Sequence, residues 1–539
     1  MYSSSLRKKL GQLIMMDFRY WGENPDSELI PFIHTNSDVK QLFQDYNLGG
    51  FILFKENIQD NEQTISLLRN LQSSLETPLF FATDQEGGRV NRLKQGTSGC
   101  GNMAIAATKN PNNAYTMSKL IGDELYSLGI NTNFAPVIDV NCNKNNPIIG
   151  VRAYSDDAET VTQYASKSIS GLADANIISC VKHFPGHGDT ATDTHHEAVT
   201  IAKPLKEIEQ VELYPFKELS NQYDIVMTAH ISVPSLDDTK YKSIATGEQM
   251  YLPATLSHKI ITKLLKDDIG FKGLVVSDAM DMKAIATHLG QIEATKLAIL
   301  AGVDVVLMPV RVWSKNNISK LEELFLKLEK EYSNNQIFAE AVDIAYTKVT
   351  NFKLNKKLHQ APIFTHTLAQ QISLADSIVD SNAHKEIAFD IAKQSTTIVK
   401  NNGLIPYQLN TKDTLLIIDS DNDRLKEFAN LLKVKDDRLN IVTKNINDAS
   451  IKESVFEVNI VVLISTNLKE HSHKYSHITS IASHKTINIA AINPYDIDYI
   501  DNVENYVCIY GASSIDQTNY TRTHLEINMK ATIDNIFKF

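Results

Sequence analysis

The sequence predicts an α/β protein: a (β/α)8, TIM-type barrel followed by a smaller α/β sandwich domain. Three observations carry this. Short apolar runs without polar alternation recur through the first 310 residues, as in parallel strands buried on both faces. Segments of helical period lie between them, for instance 113–128 and 256–267. Several runs end in a polar residue, namely Asp84, Asp139, Lys182-His183, His230 and Asp278. In such a barrel the carboxyl ends of the strands share one mouth, which would bring these residues together.

In chain order, the strand runs are 50–54 (GFILF), 78–82 (PLFFA), 133–137 (NFAPV), 177–181 (IISCV), 224–228 (DIVMT), 273–277 (GLVVS) and 304–308 (DVVLM). Residues 311–358 are helical and charged and close the barrel domain, taken as 1–350. The mixed polar stretch 351–384 reads as a linker. From 385 to 539 the alternation resumes, with strands at 414–418, 460–464, 487–492 and 506–510 and helices at 421–433 and 471–483. This second domain has no titratable cluster comparable to that of the first.

The 539 residues are 43% hydrophobic and 22% charged, ordinary for a globular chain with more than one core. A net charge of −11 argues against nucleic-acid partners and anionic membrane surfaces. Cys100, Cys142, Cys180 and Cys508 are scattered, and read as free buried thiols of a reducing compartment. The first residues lack an uninterrupted apolar h-region and a small-residue cleavage site, and no apolar run is long enough to span a bilayer. The chain as given reads as cytoplasmic, and as exported only if a signal was trimmed.

The stretch around which the chain is organised is VKHFPGHGDTATDTHH at 181–196. An apolar strand end delivers Lys182 and His183, then Pro185, Gly186 and Gly188 turn the chain toward Asp193 and His195. In an extended loop two residues of this spacing lean the same way, so the Asp193 carboxylate can hold one imidazole nitrogen of His195 while the other faces a substrate. Metal binding by His183, His187, His195 and His196 is the competing reading. It lacks a zinc spacing such as HExxH and a cysteine pair, so the proton shuttle is favoured. Asp278 ends the run GLVVSD, and Asp281 follows where a helix begins and the dipole favours an acid. Asp278 is the better catalytic candidate because it sits at the strand end. One nucleophilic carboxylate and one proton donor are the minimum for retaining glycoside hydrolysis, with Asp84 and Arg152 as polar contacts to sugar hydroxyls. Another barrel enzyme using acid–base chemistry also fits.

A series of motifs narrows the choice: GQLIMMDF at 11–18, GGFILFKENI at 49–58, ATDQEGGRVNR at 82–92, NFAPVIDV at 133–140 and IGVRAY at 149–154. They continue with KHFPGHGDTATDTH at 182–195, MTAHI at 227–231, LPATLS at 252–257, VVSDAMDMKAI at 275–285 and AGVDVVLMP at 301–309. Together these resemble glycoside hydrolase family 3, in its β-N-acetylhexosaminidase branch, and TTIVKNNGLIP at 396–406 is similar to the opening of the family's second domain. The resemblance implies that Asp278 is the nucleophile and that His195, oriented by Asp193, is the acid/base. It implies that Asp84, Arg92, Arg152, Lys182 and His183 contact the terminal N-acetylglucosamine. The chemistry so expected requires no cofactor or metal. Thr194 stands where the family's dyad usually carries Ser, and both offer a hydroxyl.

The function expected is therefore a retaining exo-β-N-acetylglucosaminidase acting on peptidoglycan fragments or chitooligosaccharides. An imidazole in place of a second carboxylic acid puts less negative charge at the mouth, which would admit an anionic acceptor. A phosphorylase on the same glycosides is thus the runner-up, and a family 3 β-glucosidase stands beside it. A catalytically silent sugar-binding protein is disfavoured by the presence of Asp278, Asp193 and His195.

Overall fold

The computed structural model describes residues 4–23, 29–73, 75–190, 199–468, 472–511 and 523–539. These form two compact units. The first comprises Met1–Glu86, Arg92–Gly96 and Tyr115–Ser381, and the second Gly87–Asn91, Thr97–Ala114 and Asn382–Phe539.

The first unit is a barrel. Its strands are β1 (Ile14–Met16), β2 (Gly50–Leu53), β3 (Phe80–Thr83), β4 (Thr132–Asn133), β5 (Ile178–Phe184), β6 (Ile225–Thr228), β7 (Leu274–Val276) and β8 (Val306–Leu307). All pair in parallel, each beside its successor in sequence, and β8 returns to β1 through the partners Ile14–Val306 and Met15–Leu307. A bridge from Val276 to Val305 closes the ring. Every residue of these strands is buried, which is why the apolar runs show no alternation.

Three elements differ from expectation. β1 is absent from the apolar runs because only Ile14–Met16 pair, directly after the charged helix Ser4–Gly11. β4 is shorter than 133–137. Pro136 has no N–H to give the ladder, and the chain continues irregularly with Phe134 N–H on Thr83 O (2.9 Å) and Ala135 O accepting from Cys180 (3.1 Å). The helix expected at 256–267 runs from Lys259 to Asp268 with π-type spacing, and buries Ile260, Ile261 and Leu265. Helices Ile318–Asn334 and Gln336–Asn355 complete the ring. The stretch 351–381 is largely helical and groups with the barrel, where Gln371 accepts from Arg69 and donates to Ser127 O.

The second unit is a six-stranded sheet of β9 (Thr397–Lys400), β10 (Thr414–Asp419), β11 (Asn440–Asn445), β12 (Ile460–Ser465), β13 (Thr486–Ala490) and β14 (Tyr506–Cys508). Their order is β9-β14-β13-β12-β10-β11, parallel except for β9. Its core gathers Ile417, Phe428, Leu432, Val462, Ile489, Val507 and Ile533. β11 carries no apolar run because it is a half-exposed edge strand. Residues 97–114 lie between β3 and β4 in sequence but belong to this unit: helix Asn102–Ala107 packs on helix Asn382–Ser395, and Asn528 Nδ2 donates to Cys100 O (3.2 Å). The cysteines are free, three of them buried, whereas Cys142 is exposed, contrary to the expectation of burial. No helix among the described residues is long and apolar enough to cross a membrane.

At the amino-terminal floor of the barrel, Lys353 is buried, with its ammonium donating to Gln12 Oε1 (2.9 Å) and Gly49 O (2.8 Å) and lying over the Phe80 ring. Burial pulls its pKa down to about 7. Between that value and the ordinary lysine range the unfolded chain holds a proton that the folded chain has released, so this group makes stability rise with pH. Measured against Lys353→Met by denaturant unfolding, the wild type should gain about 2 kcal/mol between pH 7 and pH 9. A difference that stays flat, or that shrinks with rising pH, refutes the assignment.

Candidate active site

The mouth is built where the strands end. β3 exits through Asp84, Gln85 and Glu86. Buried Gln85 fixes this exit: its N–H donates to Asn133 Oδ1 (2.9 Å), and its Oε1 accepts from the backbone of Arg92 (2.7 Å) and Leu93 (3.2 Å). Asp84 and Glu86, two apart, share one side of the segment and face the end of β5.

Lys182 meets them there. Its Nζ lies 2.7 Å from both Asp84 Oδ1 and Glu86 Oε1, and the side chain is almost wholly buried. Arg152 grips Glu86 with a fork, Nε to Oε2 at 2.9 Å and Nη2 to Oε1 at 2.8 Å, while Nη1 donates to Ile148 O. Arg92 Nη2 stands 3.6 Å from Asp84 Oδ2. Burial favours the neutral form of Asp84, Glu86, Arg152 and Lys182, but the opposed charges outweigh it. Lys182 and Arg92 hold Asp84 below the usual carboxylate range, and Arg152 with Lys182 does the same to Glu86. Asp84 and Glu86 in turn raise Lys182. The network is fully ionised at neutral pH.

His183 is held from behind by Asp139, which is fully buried. The His183 Nδ1 lies 2.7 Å from Asp139 Oδ2, and Asp139 Oδ1 accepts from the backbone N–H of His183 (3.1 Å) and His187 (2.7 Å). Although burial opposes its charge, these histidines keep the Asp139 pKa lowered. A charged acceptor on Nδ1 places the proton there and turns Nε2 away from Asp139. The register between β5 and β6 shifts from Val181 to Phe184, at the point where Lys182 and His183 leave the ladder.

Two glycines shape the turn that follows. Gly186 has φ 123°, and at Gly188 a Cβ would lie 1.6 Å from Val140 O, so no side chain fits. Asn146 Nδ2 ties the turn by donating to His187 O (2.8 Å) and Gly188 O (3.0 Å). Burial, and then the neighbouring His183, push the His187 pKa down to about 4. At neutral pH His187 is therefore an uncharged structural imidazole, its Nδ1 2.9 Å from Thr190 Oγ1.

On the opposite side, β7 delivers Asp278. It is half-buried, with Oδ1 accepting from the Ala279 N–H (2.7 Å), and its charge is felt by His187. Buried His230, after β6, supports this turn, with Nε2 3.0 Å from Ala279 O and Nδ1 2.9 Å from Thr255 Oγ1. Asp281 is instead held by Arg311 (2.6 Å). Thus Asp84, Lys182, His183 and Asp278 stand at the carboxyl ends of the barrel strands, as the strand-end pattern predicts, and the loops beyond the strands bring Arg92 to Asp84 and Arg152 to Glu86. Asp193 and His195 lie outside the described residues. Sequence reasoning misses Glu86 as a site residue. The signal that could have found it is its spacing from Asp84, which puts both carboxylates on one side.

A parallel eight-stranded barrel with paired carboxylates and cations converging at its mouth has the form of a glycoside-processing enzyme. The sequence matches the model of the glycosyl hydrolase family 3 N-terminal domain over residues 5–352. It is 37% identical over 436 residues to β-hexosaminidase A of Pseudoalteromonas piscicida, covering 78% of this chain and 71% of that protein. Among solved structures, it is similar to the family 3 β-N-acetylglucosaminidase of Paenibacillus sp. str. FPU-7 (27% identity, TM-score 0.78, covering 98% of this chain and 95% of that one). It is also similar to a fungal multi-domain family 3 β-N-acetylglucosaminidase (25% identity, TM-score 0.83, covering 98% of this chain), of whose longer chain it spans 59%. The chain belongs to glycosyl hydrolase family 3, in its β-hexosaminidase branch.

Removing Glu86 leaves two buried cations without their shared partner. Glu86→Ala is expected to lower the unfolding free energy by about 3 kcal/mol. A denaturant midpoint indistinguishable from wild type would show that the Lys182–Glu86–Arg152 contacts do not hold in solution.

Proposed function

We propose that this β-N-acetylhexosaminidase-type glycoside hydrolase removes terminal β-linked N-acetylglucosamine, with retention, from chitooligosaccharides or peptidoglycan fragments. The observation that carries the reading is the placement of Asp278 on one side of a barrel mouth whose other side is the ionised Asp84–Lys182–Glu86–Arg152 network. Fixed charges and dipoles of this kind bind sugar hydroxyls without reorganising. Asp84, Arg92, Arg152, Lys182 and His183 are the proposed contacts to the terminal sugar.

In the first step the Asp278 carboxylate attacks the anomeric carbon. The bond to the leaving oxygen breaks, and that oxygen takes a proton from His195, whose imidazole is oriented by Asp193. In the second step His195 removes a proton from water. The water oxygen attacks the same carbon, and the glycosyl ester to Asp278 breaks, regenerating the free carboxylate. Two inversions give net retention.

The test is turnover of an aryl β-N-acetylglucosaminide with and without phosphate, with the product followed by NMR. The expected product is free N-acetylglucosamine, first formed as the β-anomer, in both buffers. Asp278→Ala should lose activity by roughly 10³-fold or more. His195→Ala should cost on the order of 10²–10⁴-fold on glycosides with poor leaving groups and much less on the activated aryl glycoside. An α-anomer refutes retention, and a sugar 1-phosphate formed only with phosphate identifies a phosphorylase.

A further inference from the structure

Beside the site just described, the rim formed by the ends of β3, β2, β1 and β8 carries cations and aromatic rings in alternation. The Arg92 guanidinium lies 5.4 Å from the Phe54 ring, and Arg19 lies 3.5 Å from that ring and 5.5 Å from Trp313. Arg311 is 4.3 Å from the Trp313 ring. The row therefore runs Arg92–Phe54–Arg19–Trp313–Arg311, each step within cation–π range.

Its two ends are tied to the site. Arg92 pairs with Asp84, a proposed sugar contact, and Arg311 donates to Asp281, three residues beyond the nucleophile candidate Asp278. The Met280 N–H donates to Leu307 O (3.0 Å), binding the Asp278 turn to β8. The middle is fixed from below by Asp17, at the end of β1. This residue is fully buried, and its Oδ2 accepts from Trp313 Nε1 (2.8 Å). Among the described residues, Asp17 Oδ1 and Arg19 Nε have no hydrogen-bond partner. Burial lifts the Asp17 pKa to about 6, against the pull of Arg19. Tyr20 stands edge-on to the indole, with centroids 5.3 Å apart.

A buried carboxylate is a costly means of orienting an indole that only fills space. Trp313 is partly exposed, and its N–H is pinned by Asp17. Pyranose rings present flat C–H faces, and a rigid aromatic ring in a frame of guanidinium donors suits such a face and its hydroxyl edge.

We infer that Trp313, oriented by Asp17 and framed by Arg19 and Arg311, is the platform for the sugar on the leaving-group side of the scissile bond. This rests on the proposed N-acetylglucosaminidase reading and extends it: the preferred substrates are those whose leaving group is itself a sugar ring.

The chain contains two tryptophans, Trp21 and Trp313, so a Trp21→Phe, Asp278→Asn protein carries one emitting indole and does not turn over. Titrated with N,N′-diacetylchitobiose, its fluorescence should change, whereas N-acetylglucosamine alone should leave it unchanged. An equal response to both sugars places Trp313 at the terminal-sugar position and overturns the inference. So does no response to the disaccharide while the wild type cleaves it. In kinetics, Trp313→Ala should lose roughly 10-fold more kcat/KM on chitobiose than on β-N-acetylglucosaminyl fluoride, about the factor for burying one apolar ring face. Trp313→Phe should recover most of that difference. Equal losses on both substrates in a folded Trp313→Ala protein show a merely structural role. A wild type that releases no N-acetylglucosamine from either substrate refutes the proposed function itself, a result separate from these.

Discussion

The mouth depends on one buried ammonium. Lys182 stands between Asp84 and Glu86 at equal distance, and every other charge around it is arranged to keep that possible. Removing three charges from water costs several kcal/mol each, and the cost is recovered only with near-ideal geometry and satisfied neighbours. The Arg152 fork on Glu86, the Arg92 approach to Asp84 and the Gln85 clamp on the β3 exit supply that geometry. The result is a surface whose dipoles are in place before a ligand arrives, which is the condition for electrostatic stabilisation without a reorganisation penalty.

The two halves of the β5 exit show how neighbouring histidines take different tasks. His183 keeps a carboxylate on Nδ1, while His187 is buried one turn later and pushed to the neutral form. The turn between them depends on Gly188, whose missing Cβ lets the backbone touch Val140 O. The structural imidazole and the glycine position the segment, so the ligand-facing side chains need not do so.

The barrel was legible because parallel strands buried on both faces leave unbroken apolar runs, and seven of the eight were readable in this way. β1 escaped because three pairing residues after a charged helix make no distinct run. At the mouth, strand-end placement exposed Asp84, Lys182, His183 and Asp278, whereas Arg92 came only through family resemblance. Glu86 was passed over although its spacing from Asp84 marked it, and the Asp17–Trp313 contact was not legible. Glu86 looks like an ordinary loop acid until Arg152 arrives from 66 residues away, and Asp17 meets an indole 296 residues on. Such pairings follow from barrel closure, which no local pattern encodes. The edge strand β11 was invisible for a different reason: half-exposed, it has no need of an apolar run.

The second unit takes residues 97–114 from between β3 and β4. During synthesis this piece leaves the ribosome early, yet the helix it packs against begins only at Asn382. The barrel's own strands are all available by Leu307, so the barrel can close while the inserted segment still waits for its partners. For most of translation, then, the nascent chain holds an apolar helix containing Met103 and Ile105 without its mate. Transplanting the second unit onto another barrel would fail for the same reason unless residues 97–114 travelled with it.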